Sequence, residues 1–223
     1  MPDLQALWLT LRLALATTAI LLVIGTPLAW WLAATRARAK PVVEALVALP
    51  LVLPPTVLGF YLLIAFNPET PLGGFWLSVT GDTLTFSFTG LVIASVIYSM
   101  PFMVQPLQTA FETTGRGALE LAAGLRASPL DAFFTVAVPG AARGFVTAIV
   151  LSFAHTLGEF GVVLMVGGNI PDRTRVISIT IYEHVESLAY AEAHGLSAIL
   201  LALSFLVLLF VYAFNRRFPV HAH

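Results

Sequence analysis

Long, almost uncharged apolar stretches constrain this chain more than any other feature of its sequence. A helix needs about 20 consecutive, largely apolar residues to cross the hydrocarbon of a bilayer. Hydrophobic residues make up 58% of the 223 residues and charged residues only 10%, and a soluble domain of this size would not cover its surface with so few charges. We therefore predict an all-α fold, a polytopic membrane helix bundle.

Five stretches qualify as membrane spans. Four are apolar almost throughout, and the third stays apolar although Pro101 and Pro106 interrupt it. Proline is tolerated in a span because neighbouring helices satisfy the freed carbonyl groups. The segment after the fourth span carries too many charges to cross. The expected spans are at about residues 7–34, 43–66, 90–111, 145–166 and 196–214, within a single transmembrane domain 1–223.

Basic residues set the predicted orientation, because cytoplasmic loops carry an excess of lysine and arginine. With five spans, eight of the 11 basic residues fall on one side. That side is therefore predicted to be the cytosol, with the N-terminus outside and the C-terminus inside. The eight residues are Arg36, Arg38, Lys40, Arg116, Arg126, Arg143, Arg216 and Arg217, and the other three are Arg12, Arg173 and Arg175.

The cytosolic loop at about 115–144 is predicted to hold two short amphipathic helices. The first is expected to end at Gly124, since glycine suits the left-handed conformation that follows a helix. Ser128 is a good N-cap for the second helix, and Pro129 fits its first position. Pro139 is expected to stop this helix because it lacks a backbone donor.

Large apolar side chains lie on the second of these helices. Leu130, Phe133 and Phe134 would be outside the lipid, so they need a surface to pack on. Two interpretations remain open at this point. The side chains either fold against the inner face of the bundle or form a docking element for another subunit.

The loop is similar to the signature of bacterial ABC importer permeases, which reads Glu-Ala-Ala, three residues, Gly, nine residues, Ile-x-Leu-Pro. Glu120 and Ala122 match its first part and Pro139 its end, whereas Arg126 stands where the family has glycine. In that family the loop forms a coupling helix that sits in a cleft of the ATPase subunit. The resemblance implies that Glu120 contacts this subunit and that the surface at 130–134 packs into it.

Three further stretches narrow the resemblance to the molybdate ABC transporter permease family. They are Leu-Pro-Leu-Val-Leu-Pro-Pro-Thr at 49–56, Gly-Glu-Phe-Gly at 158–161 and Asn-Ile-Pro at 169–171. The similarity covers about residues 11–209 and implies the type I ABC importer permease fold. Sulfate permeases share much of the pattern, so sulfate, thiosulfate and tungstate stay open as substrates beside molybdate.

The resemblance also implies a set of partners. It predicts a homodimer in the bacterial inner membrane, a separate ABC ATPase that binds ATP and magnesium, and a periplasmic or lipid-anchored oxyanion-binding protein. The chain itself would need no cofactor and bind no metal. A nucleic-acid partner is excluded by the net charge of −1.

The chain cannot supply ATP hydrolysis by itself. A phosphate-binding loop needs Gly-x-x-x-x-Gly-Lys-Ser/Thr, and the only lysine is Lys40, which lies in Arg-Ala-Lys-Pro. The alternative of another class is an ion-coupled secondary carrier that uses Glu159, although five spans do not divide into two equal repeats. An intramembrane enzyme has no support, because the spans contain no catalytic or metal-ligand motif.

Polar residues of the fourth span are the best candidates for the pore or gate. Ser152, His155, Thr156 and Glu159 share one face at helical spacing, and an ionisable group inside a span is a functional candidate by default. A carboxylate would repel a dianion, so a packing network or a gate is favoured over a direct ligand. His155 is expected to pair with Glu159, which follows it by one turn.

Two other positions leave alternatives open. Pro54 and Pro55 interrupt the second span, where they produce either a plain kink or a moving segment of the pore. Arg173 and Arg175 follow Asn-Ile-Pro on the outer side. They belong either to a solvated loop or to a contact with the binding protein that delivers the anion.

Overall fold

The protein is described by a computed structural model for residues 2–114, 121, 122, 124 and 126–217. Regular structure in these ranges is helical, which confirms the all-α prediction. A π-helical turn at Phe133–Ala137 separates α6 from α7. The helices are α1 (Pro2–Ala34), α2 (Lys40–Val52), α3 (Pro55–Ala65), α4 (Pro71–Thr80), α5 (Phe88–Thr114), α6 (Pro129–Ala132), α7 (Val138–Gly140), α8 (Ala142–Leu157), α9 (Gly161–Gly167), α10 (Ile177–Glu186) and α11 (Tyr190–Arg217).

Three of the helices are long and apolar enough to cross a membrane, and they match the first, third and fifth predicted spans. These are α1, α5 and α11. Helix α5 continues through Pro101 and Pro106 without a break. Almost all of α11 is exposed in the single chain, so its apolar surface is available to lipid or to another subunit.

The second predicted span is not one helix but two, α2 and α3, at an angle of 112°. Residues that precede a proline are pushed out of the helical region, and here two of them are adjacent: Leu53 (ψ 136°) and Pro54 (ψ 134°) are both extended. The predicted span at 43–66 is therefore present as a bent pair of helices, interrupted at the prolines. Near its start α2 is held to α5 by Gln108 Nε2, which donates a hydrogen bond to Glu44 Oε1 at 2.7 Å.

The fourth predicted span, 145–166, is also divided. Helix α8 ends at Leu157, and the chain is not helical again until Gly161. At the other end of α8, the helical run 129–140 meets it at 73°. With each bent pair counted as one span, the chain has up to five crossings, which is the predicted number, but the fourth pair joins 129–140 to α8 instead of covering 145–166.

The core lies between α1, α5 and α8. Leu13 and Leu21 of α1 and Met103 and Leu107 of α5 are fully buried there. A second apolar cluster joins α3 and α9 to α5 through Phe66, Ala94, Val162 and Val166. The two broken spans thus pack on a scaffold formed by the continuous helices.

Candidate functional site

Among the described residues of the loop at about 115–144, the first helical run ends at the turn residue Arg126, not at Gly124. Leu121, Ala122 and Gly124 are helical, and Arg126 has a φ of 63°. The Ala127 N–H donates to Ala122 O at 3.0 Å, which is the six-to-one bond of a Schellman motif with Arg126 at the left-handed position. The prediction that Gly124 takes this conformation was wrong. The arginine adopts the backbone conformation that glycine would favour.

The second helix starts as predicted but does not stop at Pro139. Ser128 Oγ accepts a hydrogen bond from the Asp131 N–H at 3.1 Å, and Pro129 is the first helical residue. The π-turn lets the Val138 N–H reach Phe133 O, and the helical path continues through Pro139 to Gly140. The loop therefore leads directly into α8 with a bend at Ala141.

The apolar side chains of this loop divide between the bundle and the surface. The Phe133 ring lies 5.4 Å from Trp30 and 6.1 Å from Phe111 between centroids, so it anchors the loop to the bundle. Leu130 is 72% exposed and Phe134 65% exposed. Leu121 is 73% exposed, and we call the exposed side chains of Leu121, Leu130 and Phe134 the cytosolic apolar patch, because the sequence predicts that this loop faces the cytosol. Ala122 is half-buried and Arg126 exposed, whereas Glu120 lies outside the described residues.

A buried polar cluster joins α8 to α5. Ser99 Oγ is 2.9 Å from His155 Nδ1 and 3.0 Å from Thr156 Oγ1. Thr156 Oγ1 also donates to Ser152 O at 2.9 Å. The His155 ring stacks on Phe102 with centroids 4.0 Å apart. Ser152 and Thr156 are fully buried within the chain, so this cluster ties two helices together and does not line an open passage in a single subunit.

Ser99 was not identified from the sequence, although a signal was present. Ser95 and Ser99 are four residues apart in an otherwise apolar span, so they lie on one face of α5. That face meets the polar face of α8. A search for pairs of polar stripes, instead of single ionisable residues, would have found the contact.

Glu159 lies in the break between α8 and α9, with its carboxylate buried. Neither carboxylate oxygen has a hydrogen-bond partner among the described residues. Its polar neighbours are Ser95 and Tyr98 of α5. The expected pairing with His155 was wrong, because the imidazole turns to Ser99. The backbone of Glu159 is fixed instead, since Ser178 Oγ donates to its carbonyl oxygen at 2.6 Å.

The two broken spans touch each other beside Glu159. A Cβ added to Gly161 would lie 2.8 Å from Pro55 Cβ, and one added to Gly59 would lie 2.7 Å from Met165 Cβ. Both distances are shorter than real Cβ contacts allow. The α3 and α9 backbones therefore approach closely only because glycine is present at these positions.

The outer arginines have different surroundings. Arg173 has a half-exposed side chain that pairs with Asp82 at 3.4 Å. Arg175 is more buried; its Nε donates to Asn169 Oδ1 at 2.7 Å, and its Nη1 is 3.5 Å from Glu183 Oε2. Arg173 is thus the more accessible of the two predicted contacts for a binding protein.

In helix α10, outside the predicted spans, the pKa of Tyr182 is raised. The Tyr182 hydroxyl donates a hydrogen bond to Glu186 Oε1 at 2.5 Å. This hydrogen bond, together with the negative charge of the carboxylate, raises the pKa of Tyr182 above its ordinary value. The tyrosine therefore stays neutral as a donor at physiological pH.

Comparison with known proteins gives the family. The sequence model of the family described as "Binding-protein-dependent transport system inner membrane component" matches residues 25–219. The Azotobacter vinelandii molybdenum transport system permease protein ModB is 58% identical over 216 residues, which is 97% of this chain and 95% of that protein. The sulfate transport system permease protein CysT of Escherichia coli K12 is 32% identical over 196 residues, 88% of this chain and 70% of that protein.

Solved structures share the fold at low sequence identity. A bacterial ABC transporter that imports alginate aligns over 97% of this chain and 80% of its own, with a TM-score of 0.74 and 17% identity. The MetNI methionine ABC transporter aligns over 96% of this chain and 94% of its own, with a TM-score of 0.73 and 18% identity. The type I ABC importer architecture expected from the sequence agrees with these likenesses.

Proposed function

Because the chain belongs to the family of binding-protein-dependent transport system inner membrane components, we propose that it is the membrane-spanning subunit of an ATP-driven importer of molybdate. The assignment of molybdate as the substrate rests on the 58% identity to a molybdenum permease over nearly the whole chain. The sulfate permeases are more distant, at 32%. The subunit is not an enzyme, and a separate ATPase supplies the energy.

Substrate selection is tested by uptake in cells. Cells that lack a molybdate permease receive this chain together with the ATPase and oxyanion-binding subunits of a molybdate importer. We expect them to accumulate radioactive molybdate, with no competition from an equal concentration of sulfate. Equal competition by sulfate would contradict the molybdate assignment.

The ATPase is proposed to dock on the cytosolic apolar patch. Leu121, Leu130 and Phe134 project from a loop that Phe133 fastens to the bundle, so a force applied to the patch reaches the core. The family resemblance adds Glu120 as a contact and Arg126 as the turn between the two loop helices. In this arrangement Ala122 and Pro139 shape the loop and do not touch the partner.

Two phenylalanines of equal exposure provide the docking test. Phe134 is 65% exposed on the cytosolic loop, and Phe75 is 67% exposed on α4 at the other end of the bundle. Phe134→Asp is expected to abolish copurification of the ATPase, whereas Phe75→Asp should retain it. Copurification that survives Phe134→Asp would exclude this docking site.

The gate is proposed to lie where the broken spans meet. Pro54 and Pro55 begin α3, and Glu159 precedes α9, so each crossing has a non-helical joint at the same contact. His155 and Thr156 hold α8 to α5 through Ser99, and the Ser152 carbonyl oxygen accepts a hydrogen bond from Thr156 within α8. Motion of the loop would then reach the joints through α8. A homodimer would bring two such joints together around one passage for the anion.

The outer face is proposed to receive an oxyanion-binding protein, with Arg173 and Arg175 near the contact. This requires an outer N-terminus and an inner C-terminus. The chain contains no cysteine, so a single introduced cysteine reports its own side of the membrane. A membrane-impermeant thiol reagent should label Asp3→Cys in intact cells, and Arg38→Cys only after the membrane is opened. The reverse pattern would overturn the orientation.

A further inference from the structure

A small cavity lies at the outer end of α1, away from the broken spans. It has a volume of about 120 Å³ and lies between α1 and the segment before α10. That volume equals roughly four water molecules at about 30 Å³ each, which is room for a phosphate group. Its polar lining comes from Gln5, Trp8, Arg12, Asp172 and Arg175.

The walls of the cavity are firmly joined. Thr10 Oγ1 is buried and accepts a hydrogen bond from the Ile177 N–H at 2.8 Å, which ties α1 to the start of α10. Asp3 and His184 approach to 3.5 Å and connect the same two helices one level further out. Thr174 Oγ1 donates to Gly167 O at 2.6 Å and fixes the loop between α9 and α10. The cavity is therefore part of the folded structure and not a gap between loose segments.

Arg12 is the arginine of this cavity that has no ion-pair partner among the described residues. Its guanidinium carbon lies 5.1 Å from the centre of the Phe88 ring, and no carboxylate among the described residues lies within ion-pair distance. Arg175, on the opposite wall, is already bound to Asn169 and Glu183. A guanidinium presents five donors in a fixed fork that suits the oxygens of a phosphate.

The depth of Arg12 places it at the level of lipid headgroups. Helix α1 has 33 residues, about 50 Å at 1.5 Å per residue, whereas the hydrocarbon layer takes up only about 30 Å. With Arg36 and Arg38 in the cytosol, the 20 residues before the cytosolic end fill the hydrocarbon. Arg12 then lies just outside the opposite boundary of the layer.

The cavity opens on the face of α1 that meets lipid. Trp8 is 62% exposed and Leu15 59% exposed, and both lie on the same helical face as Arg12. Tryptophan at this depth is typical of the interface between hydrocarbon and water. Asp172 is exposed at the mouth and has no ion-pair partner in the described chain. Arg12 is itself exposed, so a lipid headgroup approaching from the bilayer would meet an accessible cation beside the carboxylate of Asp172.

We propose that this cavity binds a zwitterionic phospholipid headgroup with a primary ammonium group, such as phosphatidylethanolamine. Its phosphate is held by Arg12 and its ammonium by Asp172. An arginine guanidinium suits the oxygens of a lipid phosphate, and the carboxylate of Asp172 selects for a headgroup with a positive end. The inference needs α1 to span the bilayer and is independent of the transported substrate.

The test is native mass spectrometry of the purified full-length chain. Lipid is removed in detergent, and phosphatidylethanolamine or phosphatidylglycerol is added back. The wild type is expected to bind one phosphatidylethanolamine, with a preference over phosphatidylglycerol of about threefold, the scale of one exposed ion pair. Arg12→Gln should weaken this binding about tenfold, since it removes a charge-assisted contact. Asp172→Asn should remove only the preference between the two lipids.

Controls separate this site from general effects of charge and folding. Arg38→Gln makes the same charge change on the cytosolic side and should bind as the wild type does. Arg12→Lys keeps the charge and should retain part of the affinity, and thermal unfolding compares the stability of all variants. The proposal is overturned if Arg12→Gln binds like the wild type, or if the wild type shows no preference between the two lipids. Arg12-dependent binding of radioactive molybdate without lipid binding would also overturn it.

Discussion

At the scale of single residues, the backbone conformation of Arg126 explains how the chain tolerates one departure from the family pattern. Arg126 replaces the glycine of the importer signature, and the arginine takes the left-handed conformation that the turn requires. The Ala127 to Ala122 hydrogen bond closes the turn around it. The conformation therefore survives the substitution, at the energetic cost of a side chain in a region that favours glycine.

Restoring glycine should relieve this cost. Arg126→Gly is expected to stabilise the loop by about 1 kcal/mol relative to Arg126→Ala, because both variants lose the charge and only alanine keeps the steric conflict of a Cβ. Thermal unfolding in detergent measures the difference. If the two variants unfold at the same temperature, the left-handed turn does not form in the protein.

Ser99 gives a second prediction at this scale. Ser99→Ala removes the hydroxyl that bridges His155 and Thr156, and a hydrogen bond between membrane helices is worth about 0.6 kcal/mol, up to roughly 1.7. A double-mutant cycle with His155→Phe should show coupling of this size. Ser78→Ala on the exposed helix α4 is the control and should show no coupling with His155→Phe. Additive effects of Ser99→Ala and His155→Phe would contradict the bridge.

At the scale of elements, the continuous helices form the core on which the broken spans pack. Each broken span contains a non-helical joint. Helices α1 and α5 contribute most of the core, while α2–α3 and α8–α9 are interrupted at 53–54 and 158–160. The joints meet where Gly161 touches Pro55. The proposed gate requires that half of each broken span move while the other half stays packed.

The Gly161 contact is testable by adding one methyl group. Gly161→Ala would bring a Cβ within 2.8 Å of Pro55 Cβ, and such overpacking typically costs about 1–3 kcal/mol. We expect reduced molybdate uptake from a protein that still inserts into the membrane. Gly195→Ala in α11 is the control, because nothing lies within 4 Å of its added Cβ. Unchanged uptake in Gly161→Ala would show that the contact can be widened without consequence.

The sequence predicted the helices better than their interruptions. The span positions followed from the lengths of the apolar stretches. Two prolines predicted an interruption at Pro54, but they did not predict its angle of 112°. The break at Glu159 was missed because glycine at 158 and 161 also suits close helix packing. His155 was paired with Glu159 on spacing alone, and the competing partner, Ser99, lies 56 residues away in the sequence. Long-range contacts of this kind are decided by tertiary packing, which local patterns do not record.

At the scale of the whole molecule, the chain is a membrane bundle with one structured face on each side. One end of the bundle carries the cytosolic apolar patch, and the other end carries Arg173 and the cavity at Arg12. The broken spans lie between them. Family membership assigns the energy source to another subunit, and under the proposed orientation the ATPase docks at the first end and the oxyanion-binding protein at the second.

Reconstituted transport is the direct test of the proposal that the chain is the membrane subunit of an ATP-driven molybdate importer. Proteoliposomes containing the chain, its ATPase and the oxyanion-binding protein should accumulate radioactive molybdate only when ATP reaches the ATPase, with no ion gradient present. Omitting the ATPase should reduce uptake to background. Accumulation of molybdate by the chain alone, driven by a proton or sodium gradient without ATP, would contradict the account.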